Sequence, residues 1–376
     1  MTPKIPWVVP TLGREELAEV TGCFDKGWYT QGDKVRQFER SMAELLEVPY
    51  ALAVSSGSAA LELTLRALGI GPGDEVIVPA MTFVATAAAV RWQHAVPVFV
   101  DIEDDTWNLD PQRIPEAVSD ATKAVVFIDH GGNPADVDAI SAVAERYGLI
   151  VVQDGAQSLG ARRGRTPVGA NATYATTSFH LAKLLTTVEG GMIFSRDEDF
   201  FRELLARRSQ GEDPGAKYSY PLLGTNARMT DLAAGIGLAQ IAKLEQNLRA
   251  RRRVASWYHS AFACRSEIRL ARPRAGCSVS HLNFPVVVEE RDRIAAALLH
   301  KHGIDSRAVC PMPVYEQPLF RSGSEACRAL ACPVAARVAA GSLDLPIFPD
   351  MTEEQVNRVA GALIDELYAS PAGPRS

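Results

Sequence analysis

The chain has 376 residues, 47% of them hydrophobic and 22% charged, with a formal net charge of −6. This is the composition of a soluble globular protein long enough for one large core and a second, smaller one. No global basic field points to nucleic acid or to an anionic membrane. The six cysteines, Cys23, Cys264, Cys277, Cys310, Cys327 and Cys332, include no CxxC pair. That argues against a disulfide framework, a zinc site or an iron–sulfur cluster, so no metal is expected and a reducing cytoplasm fits. The opening MTPKIPWVVP lacks the apolar core of a signal peptide. The most apolar window, residues 80–100, is broken by Arg91, Gln93 and His94, so no membrane span is expected.

In chain order, residues 15–25 read as a short amphipathic helix, followed by the aromatic segment Trp28-Tyr29-Thr30-Gln31-Gly32 and a second helix over 35–46. The apolar run 50–54 is a strand, and Ser55-Ser56-Gly57-Ser58 turns it into a helix that ends at Gly69-Ile70-Gly71-Pro72-Gly73. Strands at 75–78, 96–100, 124–128 and 149–152 then alternate with helices near 82–92, 111–118 and 136–147. Such alternation predicts an α/β architecture with a mostly parallel sheet. Met192-Ile193-Phe194 is a further strand-like run. A long helix runs from Thr230 to about residue 258, and its basic run 249–253 (RARRR) reads as a solvated face. Beyond it a strand at 281–288 and helices at 291–302 and 353–368 predict a smaller α/β domain approached through 263–277. The division expected is a large domain over 1–250 and a small one over 251–376, with a disordered tail at 370–376 (SPAGPRS).

Three signals carry chemistry. Ser55-Ser56-Gly57-Ser58 sits where a strand hands over to a helix, a natural anion site that Gly57 would let a ligand approach; the alternative is a plain N-cap, with Ser58 capping its own helix. Asp154 ends the apolar run Ile150-Val151-Val152, with Gln157 three residues on. A carboxylate there points into the crevice where α/β proteins bind ligands, to meet a pyridinium N–H, an arginine or a helix end. Lys183, five residues after Ser178 in an apolar setting, has the desolvated environment that makes an amine nucleophilic, although snorkelling would also explain it. Together and in this order, the three supply what pyridoxal phosphate (PLP) requires: donors for its phosphate, a carboxylate for its ring nitrogen and an amine for its aldehyde. Phe83 is the candidate cover for a flat ring, or else an ordinary core aromatic.

These motifs resemble the DegT/DnrJ/EryC1/StrS family of sugar aminotransferases along nearly the whole chain: WYTQG, VSSGSAAL, PAMTFVATAAAV, PVFVDIEDDTWNLD, VVQDGAQSLGA, SFHLAK…EGGM, NARMTDLAAGIGLAQ and LPIFPDMTEEQV, in that order. The resemblance implies the fold of aspartate aminotransferase, a fold type I PLP enzyme. It implies Lys183 as the Schiff-base lysine and Asp154 at the pyridinium nitrogen. Gln157 would lie near the phenolic oxygen, Phe83 against the ring, and Gly57, Ser58 and Ser178 at the phosphate. Asn226 would reach the phosphate of the neighbouring subunit, in a homodimer with shared sites. Relatives that dehydrate sugars carry histidine at position 183, so lysine there favours amino transfer.

The implied reaction moves an amino group from an amino acid, glutamate by expectation, to a keto-sugar in amino-sugar or antibiotic biosynthesis. A nucleotide-linked 4-keto-6-deoxyhexose is the expected acceptor, because the segment around Lys183 looks more like relatives acting at C4 than at C3. His180, Arg228 and Tyr315 are the candidate acceptor contacts, with the 249–253 helix as a further cation source for a diphosphate. A keto-cyclitol acceptor and a non-catalytic PLP-binding regulator are the rival readings. Two departures fall where the acceptor should lie. Gly131 in Ile128-Asp129-His130-Gly131-Gly132-Asn133-Pro134 replaces the family's aromatic. Val309-Cys310-Pro311-Met312-Pro313-Val314-Tyr315 stands where many relatives have two histidines.

Overall fold

A computed structural model of the protein describes residues 4–321 and 327–369. The tail at 370–376, expected to be disordered, lies outside the described residues. The main sheet has eight strands, in the order Tyr50–Val54, Gly191–Ser195, Tyr174–Ser178, Ile150–Asp154, Thr122–Ile128, Glu75–Pro79, Val96–Val100 and Arg328–Ala329. Gly191–Ser195 runs antiparallel to both its neighbours, and every other pairing in the sheet is parallel. A parallel sheet is covered on both faces, which is why its strands are near-continuous apolar runs. Side chains alternate between the faces. Val76, Val78, Val126 and Val152 pack with Leu61, Leu65, Ala87 and Val90 of the helices Gly57–Ala67 and Val84–Trp92. Ile77, Val98, Val125 and Phe127 face Ile140 and Ala144 of Val137–Arg146 on the other side.

A second sheet, Arg269–Leu270, Phe284–Val287 and Ser342–Leu345, is antiparallel throughout. Its core takes Tyr258 and Phe262 from the end of the 32-residue helix Asp231–Phe262, Ile294 and Leu298 from Arg291–His300, and Val356, Val359 and Leu363 from Glu353–Tyr368. No helix among the described residues is long and apolar enough to cross a membrane.

Three details differ from the sequence expectation. The stretch 111–118 is a 3-10 turn, Pro111–Arg113, leading into a short helix, Ile114–Ala117, because Pro111 and Pro115 each remove a backbone donor. The two-residue edge strand Arg328–Ala329 had no readable pattern. It is held by Arg328, whose Nε and Nη2 donate to Glu75 at 3.0 and 2.6 Å. The basic run is only partly a solvated face. Arg251 is buried and donates to the carbonyls of His281, Leu282 and Ile347, and Arg252 donates to Gly160 O at 3.0 Å. Arg249 and Arg253 remain exposed.

Candidate active site

The site forms at the carboxyl ends of the central strands. Ile128, Asp154 and Thr176 are in register across three parallel strands, so Asp154 stands at the open end of the sheet. It is 6% exposed. Its Oδ2 accepts from Thr86 Oγ1 at 2.8 Å and its Oδ1 from the Ala156 N–H at 3.2 Å. Burial pushes this carboxyl up from its ordinary value, while Thr86, Ala156 and Lys183 pull against that rise. A carboxylate has about four acceptor positions. Two are filled, leaving room for a cationic N–H.

Lys183 lies on a turn closed by its own N–H to His180 O at 2.9 Å. The turn is tied to the sheet through Phe179, whose N–H donates to Gly190 O at 2.8 Å and whose carbonyl accepts from Thr187 N at 2.9 Å and Thr186 Oγ1 at 3.0 Å. Phe179 is fully buried against Phe38, their ring centroids 5.2 Å apart. Desolvation lowers the Lys183 amine below its ordinary value, and Asp154 acts in the opposite direction. Lys183 is half-buried and forms no salt bridge among the described residues, and a lowered proton affinity suits its amine to act as a nucleophile.

The anion cradle is built by three close approaches. Ser56, not Ser58, caps the helix Gly57–Ala67: its side chain accepts from Ala59 N at 3.1 Å. Ser58 therefore lies inside the first turn, where helix geometry leaves the N–H groups of Gly57 and Ser58 without intrahelical partners. A Cβ on Gly57 would stand 2.7 Å from Ser178 Cβ, and one on Gly191 would stand 2.4 Å from Ser56 O. Those contacts bring Gly57, Ser58 and Ser178 to one spot. Across the turn, Ser55 N donates to Ala227 O at 2.8 Å and Val54 bridges Arg228, which carries Asn226 and Arg228 alongside. Asn226 is exposed and Arg228 half-buried.

Gln157 accepts from Gly131 N at 2.8 Å through Oε1, which leaves its amide N–H groups to a ligand. Phe83 is no core aromatic: it is 56% exposed immediately before the helix Val84–Trp92. His180 is exposed, with Nδ1 accepting from Ala182 N and Nε2 lying 3.9 Å from Glu189. Tyr315 follows Val314, whose N–H donates to Ala80 O at 2.8 Å; its ring lies 5.9 Å from Phe99 and its phenol is pushed up to about 12 by burial. Thr82 and Thr86 escaped sequence reasoning, although two threonines four apart at a helix start, flanking Phe83, were a signal that could have found them.

A lysine amine within electrostatic reach of a strand-end carboxylate, in a fold that also presents an open helix start, is a constellation for a phosphorylated aldehyde cofactor. The family model for DegT/DnrJ/EryC1/StrS aminotransferases matches residues 10–364. The chain belongs to that family. GDP-perosamine synthase of Caulobacter vibrioides is 35% identical over 370 residues, which are 96% of this chain and 98% of that protein. DesV of S. venezuelae, solved in complex with a ketimine intermediate, matches with a TM-score of 0.92 and 32% identity, covering 98% of this chain and 100% of its own. The sugar aminotransferase Spr1654 of Streptococcus pneumoniae in its PLP form matches with a TM-score of 0.91 and 27% identity, covering 98% of this aminotransferase and 100% of its own chain.

Proposed function

We propose that this aminotransferase uses PLP to move an amino group from glutamate to a nucleotide-linked 4-keto-6-deoxyhexose. The observation that carries the reading is the half-buried Lys183 amine and the buried Asp154 carboxylate at the open end of the sheet, each biasing the other's proton. When bound, PLP supplies an electron sink for carbon–hydrogen and carbon–nitrogen bond changes. Lys183 would hold it through its amine, and the same amine, when free, would carry a proton between two carbons. Asp154 would accept the ring N–H, Gln157 would donate to the phenolic oxygen, and Phe83 would cover the ring. Gly57, Ser58 and Ser178 would bind the phosphate.

The exposed Asn226 reaches the phosphate held by a second copy, so the working unit is a homodimer with shared sites. His180, Arg228 and Tyr315 face the acceptor. The GDP in the name of a 35%-identical relative supports a nucleotide-linked acceptor. Arg251 and Arg252, spent on carbonyls, are not available to a diphosphate.

The test has two stages. Borohydride reduction of the holoenzyme should fix the cofactor to the peptide containing Lys183, and Lys183→Ala should lose that link. The pyridoxamine form is then offered keto-sugar nucleotides and free keto-cyclitols, following the visible spectrum. An adduct on Lys123 or Lys217 would overturn the site, and turnover with a cyclitol alone would overturn the acceptor.

A further inference from the structure

The carboxylate assigned to the ring nitrogen is held by a hydroxyl chain rather than by a fixed charge. Thr86 Oγ1 lies 2.8 Å from Asp154 Oδ2, and Thr82 Oγ1 lies 2.8 Å from Thr86 Oγ1. A hydroxyl has one proton to give. The proton of Thr86 goes to the carboxylate, so Thr82 must donate to Thr86, and the chain runs in one direction: Thr82 to Thr86 to Asp154. Both hydroxyls are out of solvent, with Thr86 fully buried and Thr82 3% exposed. Hydrogen bonds in series polarise each other when water is absent.

The backbone locks both ends of this chain. Thr86 N donates to Phe83 O at 3.2 Å in the first turn of Val84–Trp92. The Thr82 carbonyl accepts from Cys310 Sγ at 3.5 Å, and Val314 N donates to Ala80 O at 2.8 Å. The segment Cys310–Val314, from the far part of the chain, is thereby clamped to the same short stretch that carries the two threonines.

We infer that Thr86, backed by Thr82, is a positioning residue that aims Asp154 and stabilises its carboxylate form. The inference rests on the assignment of Asp154 to the ring nitrogen. A β-branched residue suits the role because its side chain is stiff at χ1, so the hydroxyl is presented in one direction. The Ala156 N–H holds the other oxygen, and the two donors together fix the plane of the carboxyl group.

Without the Thr86 hydroxyl, a proton shared between the ring nitrogen and Asp154 shifts towards the carboxyl oxygen. A ring nitrogen that has lost its proton withdraws less charge, and the nitrogen linking cofactor to Lys183 becomes more basic. The midpoint of the pH titration of the holoenzyme's visible absorbance should then rise.

Thr86→Val keeps the shape and removes the hydroxyl, Thr86→Ser keeps the hydroxyl, and Thr82→Val removes the second link. Asp154→Asn is measured beside them. Each is purified, stripped of cofactor and titrated with PLP, and the reloaded protein is titrated with pH. Thr86→Val should weaken PLP binding by about tenfold and raise the absorbance midpoint by about one pH unit. Thr82→Val should move both in the same direction by less, and Thr86→Ser should recover wild-type values.

Equal shifts in Thr86→Val and Thr86→Ser would mean that packing matters rather than the hydroxyl, and would overturn the inference. So would an unmoved midpoint in both valine variants while Asp154→Asn moves it. If Asp154→Asn itself leaves the midpoint and PLP affinity unchanged, the assignment of Asp154 fails first. Should Thr86→Val not fold, the decision passes to Thr82→Val, which leaves the hydroxyl touching Asp154 in place.

Discussion

A Cβ placed on Gly57 would lie 2.7 Å from Ser178 Cβ and 3.1 Å from its hydroxyl oxygen. Two segments more than a hundred residues apart thus touch at the one point where neither can carry extra volume. The constraint is steric, since it comes from approach rather than from an unusual backbone angle at Gly57. Gly57→Ala must push the helix start away from Ser178 and open the cradle. The expected result is a PLP affinity lower by about tenfold to a hundredfold, with the cooperative unfolding of the apoprotein retained. Fluorescence titration of the apoprotein with PLP measures this directly. Wild-type affinity in Gly57→Ala would show that the turn does not hold the phosphate.

The carboxylate of Asp231 performs a capping role at a distance. It accepts from Gly32 N at 2.8 Å, Val35 N at 3.0 Å and Lys34 N at 3.3 Å, which are the free donors at the start of the helix Asp33–Leu45. Gly32 has no side chain to do this, and a Cβ there would lie 2.5 Å from both Asp231 Oδ2 and Trp28. Asp231→Ala should therefore destabilise the fold by about 2–4 kcal/mol, as expected for several charge-assisted bonds lost from a buried helix start. Asp231→Asn, which keeps one acceptor oxygen, should cost less. Urea unfolding of the apoprotein separates them, and equal stability of Asp231→Ala and wild type would refute the role.

That cap also marks where sequence reading stopped. The strands Tyr50–Val54 and Val96–Val100 coincide with their expected limits, because a buried strand is a short apolar run bounded by turn residues, whichever way its neighbour runs. Asp154 and Lys183 could be picked out because a charge inside an apolar run is conspicuous. The partners across space could not. Nothing near Gly32 announces a carboxylate 199 positions away, and nothing near Asp154 announces a hydroxyl 68 positions earlier. Ser58 was offered as a cap because four-residue turns rich in serine leave the choice open; only the observed bond from Ala59 N selects Ser56. The basic run 249–253 misled for the same reason, since a buried Arg251 is recognisable only by the carbonyls that surround it.

Asp344 supplies a prediction about pH. It lies in the strand Ser342–Leu345, paired with Pro285, and is 3% exposed. Its Oδ2 takes the Val309 N–H at 3.4 Å, and Asn283 donates to it as well. Arg307 is adjacent through its backbone, but its guanidinium turns to Asp305 at 3.0 Å, so among the described residues no cation pairs with the carboxylate. Burial pushes the carboxyl up from 3.8 to about 7. A raised folded-state value favours the protonated form, so its stabilisation is full below pH 3.8 and is lost as pH rises through about 7. A gap of about three units at 1.36 kcal/mol each makes the loss roughly 4 kcal/mol. Asp344→Asn is neutral at every pH and keeps the acceptor for Val309. Its stability relative to wild type should therefore rise as pH goes from about 4 to about 7 and level off above that, read from urea midpoints on the apoprotein. Parallel curves for the two proteins across that range would show that Asp344 stays ionised in the fold, and that some donor other than Val309 and Asn283 compensates it.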